Sequence, residues 1–511
     1  MNHLNRRQML GKSGMGFGMI ALSSLLRDAG FLEAATVATS GVPDNPLAAR
    51  VPHALARAKS IIWLFINGGP SHVDTWDYKP ALARWDGKSM REFDGSFQDT
   101  TGFFRDAVGG LMRSPFTFRQ HGACGKWVSS IFPHLSQHVD KMAFVHSGYT
   151  ESNNHSPALF MMNSGLPLMG YPCVGSWVTY GLGSESQSLP AFVVMSDPLG
   201  RGLPKGHAAN WGAGFLPGVY QGTWIKPKGE PIENLTRPRF FTDGQQRRHL
   251  DLLRRINERH FEQKPDELEL AARIESFELA YRMQSAAPEA LDLAQEPAHI
   301  RRLYGLDEER CAHFAGQCLT ARRLVERGVR FIQIYSGGME NQRSWDGHQD
   351  IIGNHTQFAG ETDQPIAGLL HDLEQRGLLD ETLVVWGGEF GRLPIAQTGD
   401  KPGRDHNPHA FTFWLAGGGV KGGVSYGETD EVGFKAAVNR VHVNDLHATL
   451  LHLLGLDHEL SDLVYRCRSR GRTGRRDRRH LGHAALRRLA LNPGRLARGG
   501  DQEPESPEQG H

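Results

Sequence analysis

The stretch SIIWLFINGGPSHVDTWD, residues 60–77, decides how the chain folds. Its first part is a short apolar run without polar alternation, the pattern of a strand buried on both faces of a parallel sheet. Gly68-Gly69-Pro70 then ends the strand. Five further runs read the same way: MAFVHS at 142–147, AFVVMS at 191–196, RFIQIYS at 330–336, TLVVWGG at 382–388 and FTFWLA at 411–416. Between them, 251–261, 268–283, 311–327 and 364–376 repeat apolar residues at helical steps. Such alternation predicts an α/β fold: a mostly parallel central sheet with helices on both faces. Residues 190–243 are rich in Gly and Pro and read as a loop-rich insertion, and no internal repeat is present.

The chain has 511 residues and a formal net charge of +1, which gives no global reason to expect nucleic acid as a partner. That near-neutrality hides an uneven distribution. Residues 460–511 hold 12 Arg, no Lys and 6 acidic residues, so this tail carries +6 and the preceding 459 residues carry −5. An all-Arg tail of this kind is what a GC-rich coding region yields when read out of frame, and it is expected to be disordered. The five cysteines form no CxxC pair, which excludes a thiolate zinc site or a disulfide framework. At the other end, Arg6-Arg7 precedes a Gly-rich apolar stretch and then small residues near 34–38. This describes a twin-arginine signal peptide over 1–40, with a linker at 41–58. The apolar run is too short for a membrane span of about 20 residues. A periplasmic or extracellular protein without a transmembrane span in its mature form is expected.

In open α/β sheets, sites gather in loops at the carboxyl ends of the strands. Those loops hold His72 and Asp74 after the first strand, and Ser152, His155 and Ser156 after the second. Later ones hold Asp346 and His348, then Glu389 and Arg392, then Arg404, His406 and His409. Carboxylates and imidazoles concentrated in this way fit a divalent metal of Zn, Ca, Mg or Mn type. Arg392 and Arg404 would offer forked donors to an anion. Trp211, Trp224, Trp345 and Trp414 are read first as buried tryptophans, with stacking on sugar rings as the alternative.

These motifs resemble the alkaline phosphatase and sulfatase superfamily, and more closely the exported sulfatase-like proteins known as domain of unknown function 1501. The resemblance rests on SIIWLFINGGPSHVDTWDYKP, SWDGHQD, VVWGGEFGRLP, GRDHNPHAFTFWLAGGGVKGG and VNDLHATLLHLLGLDH, and covers about residues 59–459. It implies the sulfatase-like fold and a rearranged metal site. Where sulfatases carry two adjacent aspartates after the first strand, Asn67 and Gly68 stand, with Asp74 and Asp77 further on. Pro157 and Gly165 keep the spacing of the sulfatase nucleophile motif, yet His155 takes the Cys position and Leu159 the Arg position, so no formylglycine can form. Glu389-Phe390 replaces an Asp-His metal pair, and Asp346 and His348 are two apart where alkaline phosphatases space them four apart.

The resulting expectation is an exported metal-dependent hydrolase of phosphate or sulfate esters. Asp74, Asp346, His348, Glu389 and His406 are the preferred ligands, with His72 and His409 next. His155 is a ligand or a nucleophile, Ser152 and Ser156 are the nearest hydroxyl nucleophiles, and a metal-bound water is the other choice. The substrate would be a small anionic ester or a sulfated or phosphorylated glycan. The alternative is a non-catalytic scaffold that binds an anionic glycan or a partner protein.

Overall fold

Each of the six apolar runs becomes a strand of one sheet. The computed structural model describes residues 45–457, apart from 98–102, 104–107, 228, 234, 238, 264–267 and 340–342. The expected signal peptide and the Arg-rich tail lie outside the described residues. In chain order the sheet strands are β1 (Ser60–Ile66), β2 (Met142–Tyr149), β3 (Phe192–Met195), β4 (Thr223–Ile225), β5 (Phe331–Ser336), β6 (Thr382–Gly387), β7 (Phe411–Ala416), β8 (Val424–Tyr426) and β9 (Val441–His442). Their spatial order is β8-β2-β7-β6-β1-β5-β3-β4, with β9 also pairing β2. β1 is central and parallel to β5 (Ile62 beside Ile332) and to β6 (Leu64 beside Trp386). Among the described strands of this sheet only β7 runs against its neighbours. The segment 190–243 supplies β3 and β4 at one edge.

Both faces of β1 are buried, which explains its unbroken apolar run. Ile62, Leu64 and Ile66 join Phe314, Leu319, Phe358 and Leu369 on one side. Ile61, Trp63 and Phe65 join Leu159, Val178 and Leu450 on the other. Each such side chain contributes about 1.5–3 kcal/mol when fully buried. The first side is covered by helices Ala312–Glu326 and Ile351–Gln375, the second by His155–Ser164, Val174–Leu182 and Val443–Leu453. Trp345 and Trp414 are fully buried and Trp211 nearly so, so none of the three presents a face to a sugar.

The helix expected at 364–376 starts thirteen residues earlier, at Ile351. Asp350 caps it from a left-handed backbone conformation (φ 47°), its carboxylate accepting the Gly353 N–H at 3.0 Å. Its first half escapes a periodic reading because its buried face is polar: His355, Glu361, Thr362 and Asp363 all point inward. Each is satisfied there. Glu361 takes a forked pair of bonds from Arg201, and Asp363 accepts the His134 and Leu135 N–H groups at 2.8 Å.

His355 accepts the Ser71 N–H at 2.9 Å and is fully buried, and burial pushes its pKa down to about 3. His146 is likewise pushed down to about 3, first by burial and then by Lys126. Both histidines must take up a proton on unfolding below pH 6.5. The unfolded state therefore binds more protons between pH 6.5 and about 3, and stability is lost as pH falls through that window. The slope is about 1.4 kcal/mol per pH unit for each group. Denaturant titrations from pH 7 to 4 should show this decline, and His355→Gln should flatten it; an unchanged slope in that variant would refute the assignment.

Candidate metal centre

The site is built at the carboxyl end of the central strands, where β1 turns through Gly68 and Gly69. Both have positive φ, 106° and 77°. A Cβ on Gly68 would lie 2.5 Å from Ser344 Oγ and 2.6 Å from Asp346 N, so glycine lets the Ser344–Asp346 loop press against the turn. Trp345 N–H then donates to Asn67 O at 3.0 Å, and Gly68 N–H donates to both Glu389 oxygens at 2.9 and 3.2 Å.

On this frame four ligand-type side chains converge. One atom each from His155, Asp346, His348 and His406 lies within 4.8 Å of every other. Asp346 is the hub. Its Oδ1 lies 3.1 Å from His348 Nε2, 3.2 Å from His406 Nε2 and 2.5 Å from Arg392 Nη2, and its Oδ2 lies 3.2 Å from His155 Nε2. His348 and His406 face each other, Nε2 to Nε2, at 2.8 Å. All four residues are buried.

The outer nitrogens of the three rings reveal their tautomers. His155 Nδ1 faces Glu389 Oε1 at 2.7 Å, His406 Nδ1 faces the Asn153 carbonyl at 2.6 Å, and His348 Nδ1 faces Gln397 Oε1 at 2.7 Å. Each partner is an acceptor, so each Nδ1 carries the hydrogen and each Nε2 turns a lone pair inward. His155 Nε2 is buried without an aligned hydrogen bond. Three inward lone pairs beside a carboxylate repel one another unless a cation or proton sits among them. A histidine oriented by a carboxylate, as His155 is by Glu389, is the usual outer support of a metal ligand.

The charges point the same way. Burial opposes ionisation of Asp346, yet Arg392 first, and then the imidazoles around it, hold its carboxyl far below the usual range. Burial, helped by Arg392 and His155, drives His406 well below its ordinary pKa and keeps it neutral. Burial also disfavours protonated His155, but Asp346 and Glu389 outweigh it and raise that pKa. Two carboxylates face one guanidinium, and the balance favours a cation. The residues present therefore fit a divalent ion, with three nitrogens and one oxygen.

The other expected residues sit around this cluster and outside it. Asp74 is fully buried, but Arg404 holds both its oxygens, at 2.6 and 3.1 Å, and Ser71 donates to it at 2.5 Å. His72 turns its Nε2 to Gly433 O at 2.8 Å, and His409 packs on Phe434. Arg392 spends its donors on Asp346 and on the Gly68, Gly69 and Arg404 carbonyls. Arg404 spends its own on Asp74, Met112 and Leu393. Neither arginine has a fork directed at an external anion. Ser152 hydrogen-bonds within its own turn, and Ser156 lies in the first turn of the His155–Ser164 helix.

The supporting roles of Gln397 and of the Asn153 carbonyl, and the rings of Phe390 and Phe103 against His406, were not anticipated. Nothing in a lone Gln or Phe announces such a place. Asp346 and His348 reach the same cluster although only two residues apart, because the chain turns tightly there and His348 N–H donates to Asp346 O at 3.1 Å.

Residues 58–481 match the family described as Protein of unknown function (DUF1501). No curated protein matches the sequence. Among solved structures the chain is similar to the PsFucS1 sulfatase from Pseudoalteromonas sp., at 12% identity over 80% of this chain and 69% of that one, with a TM-score of 0.33. It is also similar to the alkaline phosphatase from the Antarctic bacterium TAB5, at 9% identity over 79% of this chain and 99% of that one, with a TM-score of 0.31. The phosphonate monoester hydrolase SpPMH from Silicibacter pomeroyi matches at 12% identity over 63% and 68%, with a TM-score of 0.30.

Proposed function

Because the chain belongs to the DUF1501 family, whose description assigns no activity, we propose its function from the site: a metal-dependent hydrolase of phosphate or sulfate esters. One observation carries this reading. Three histidines, each with its Nδ1 hydrogen held by an acceptor, aim Nε2 at a single buried carboxylate. His155, Asp346, His348 and His406 would hold the ion, with Glu389, Gln397 and the Asn153 carbonyl fixing the rings. A nitrogen-rich set suits Zn²⁺ better than Ca²⁺ or Mg²⁺, which take oxygen ligands. When bound, such an ion polarises an ester oxygen and neutralises charge that develops on it.

The protein's own groups set the rest. Both ring nitrogens of His155 face fixed partners, Glu389 and Asp346, which favours the ligand role over the nucleophile role. Ser152 and Ser156, beside the start of the His155–Ser164 helix, are then the hydroxyl candidates, and the positive helix end favours an anionic substrate there. The rings of Phe390 and Phe103 lie against His406. We place this chemistry outside the cytoplasm, after twin-arginine export, on a small anionic ester or a sulfated or phosphorylated glycan. Among the described residues no helix is long and apolar enough to cross a membrane.

The test is elemental analysis of the full chain together with turnover of nitrophenyl phosphate and nitrophenyl sulfate. About one zinc per chain is expected, with turnover lost on chelation and restored by zinc. A folded, metal-free protein that gains nothing from added zinc would sink the proposal. The second reading, a scaffold that binds an anionic glycan without turnover, is favoured by the internal engagement of Arg392 and Arg404. It predicts bound zinc and no hydrolysis of either ester.

A further inference from the structure

A cavity of about 220 Å³ opens beside β2 and is lined by Asp77, Tyr78, Lys126, Trp127, Phe144 and His146 among others. None of these residues belongs to the metal centre. Lys126 comes from a small hairpin in which Phe118–His121 pairs with Lys126–Ser129. Its ammonium touches His146 Nε2, donates to Ser425 Oγ at 3.2 Å and lies 4.3 Å from the centre of the Phe144 ring. None of these neighbours carries a negative charge. His146 is neutral, its Nδ1 facing Thr412 Oγ1 at 3.0 Å. The nearby carboxylate of Asp77 is already engaged, by Lys79 at 3.2 Å and by the Thr429 hydroxyl at 2.5 Å. Lys126 is thus a half-buried cation whose direct partners leave its charge unmatched, and burial pushes its pKa down to about 8.

The mouth of the cavity is aromatic. Trp127 and Tyr78 line it and are 39% and 36% exposed. Their rings lie 4.8 Å apart, and Phe118 backs Tyr78 at 4.9 Å. A fixed ring platform covers the C–H face of a pyranose well, because the ring is apolar on its face and the sugar polar at its edges. The volume falls below the roughly 300–1,000 Å³ of pockets for drug-sized ligands, so it suits a single ring.

We propose that this cavity binds one acidic sugar residue, with Lys126 receiving its carboxylate or sulfate group and Trp127 and Tyr78 covering its apolar face. Ser425 also lines the cavity, and its hydroxyl can pair with a ring hydroxyl. Binding here involves no bond cleavage, so its outcome is independent of whether the metal centre hydrolyses esters.

The test is binding to the full chain, followed by tryptophan fluorescence and by saturation-transfer NMR. The probes are glucuronate, N-acetylglucosamine 6-sulfate, glucose and inorganic sulfate. Both acidic sugars should saturate with Kd of about 0.1–1 mM and bind about tenfold more tightly than glucose. Lys126→Met and Lys126→Gln should each bring the acidic sugars down to the level of glucose. Trp127→Ala should abolish sugar binding, and Trp127→Phe should keep it, with melting temperatures near that of the parent in all four variants. The proposal is overturned if neither acidic sugar saturates below about 20 mM, if the Lys126 variants bind them unchanged, or if inorganic sulfate binds as tightly as the sulfated sugar.

Discussion

Asp346→Asn is expected to strip the metal from the purified protein while leaving the shape of the side chain intact. The carboxylate touches all three histidine Nε2 atoms and Arg392. An amide would lose the charge that offsets a divalent ion and would place an N–H donor toward at least one of them. Loss of an outer supporting group typically weakens metal binding about 10- to 100-fold, so loss of this direct ligand should exceed the upper end of that range. The fold should suffer as well. Arg392 is fully buried and its remaining bonds go to backbone carbonyls, so losing its counter-ion costs about 3–5 kcal/mol. His409→Ala is the control, because His409 lies outside the cluster against Phe434, and its zinc content should not change. Stoichiometric zinc in Asp346→Asn, measured by elemental analysis after dialysis, would show that the ligand set is wrong.

The architecture was legible because burial on both faces of a strand leaves a mark that needs no partner to interpret. IIWLFI can only be satisfied between two layers, and each of the other five runs found the same sheet. The candidate metal centre was legible only in its location. Loops after β5 and β6 do meet at one end of the sheet and supply Asp346, His348 and Glu389, while His155 opens the helix that follows β2 and His406 lies on the strand Gly403–Asn407 of a separate three-stranded sheet. Which carboxylate faces inward was decided by contacts more than 300 residues apart in sequence. Asp74 and Glu389 are both acidic residues just beyond a strand. Gly68 N–H draws Glu389 to the back of His155, whereas Arg404, from a strand of a separate three-stranded sheet, captures Asp74. No local pattern distinguishes those outcomes. The early start of the Ile351–Gln375 helix was hidden for the related reason that many of its inward residues are polar, with His355, Glu361 and Asp363 each matched by a partner from a remote segment.

Arg404→Met should unfold the protein more readily than almost any substitution outside the apolar core. Both Arg404 and Asp74 are fully inaccessible, and two nitrogen–oxygen contacts join them. At present burial works to raise the pKa of Asp74, and Arg404 overcomes it and holds the carboxyl below its usual range. Without the guanidinium that opposition disappears, leaving a buried carboxylate with the Ser71 hydroxyl as its remaining side-chain donor. Breaking one side of such a pair costs about 3–5 kcal/mol at neutral pH. The loss should shrink in acid, because the folded-state pKa of Asp74 would then exceed its unfolded value and protonation would relieve the charge. Asp74→Asn combined with Arg404→Met should recover more than half of it, since an amide keeps a bond to Ser71 and leaves no charge unmatched. Denaturant unfolding of the two single variants and the double variant measures this coupling, and equal destabilisation of Arg404→Met and the double variant would refute it. The pair also bears on the metal. Arg404 N–H donates to Gly347 O at 2.9 Å, and its own carbonyl accepts from Arg392 Nη1 at 3.1 Å. Displacing this backbone would shift both the loop that carries Asp346 and His348 and the counter-ion of Asp346. Zinc affinity should therefore fall in Arg404→Met and return together with stability in the double variant, although neither altered residue touches the ion.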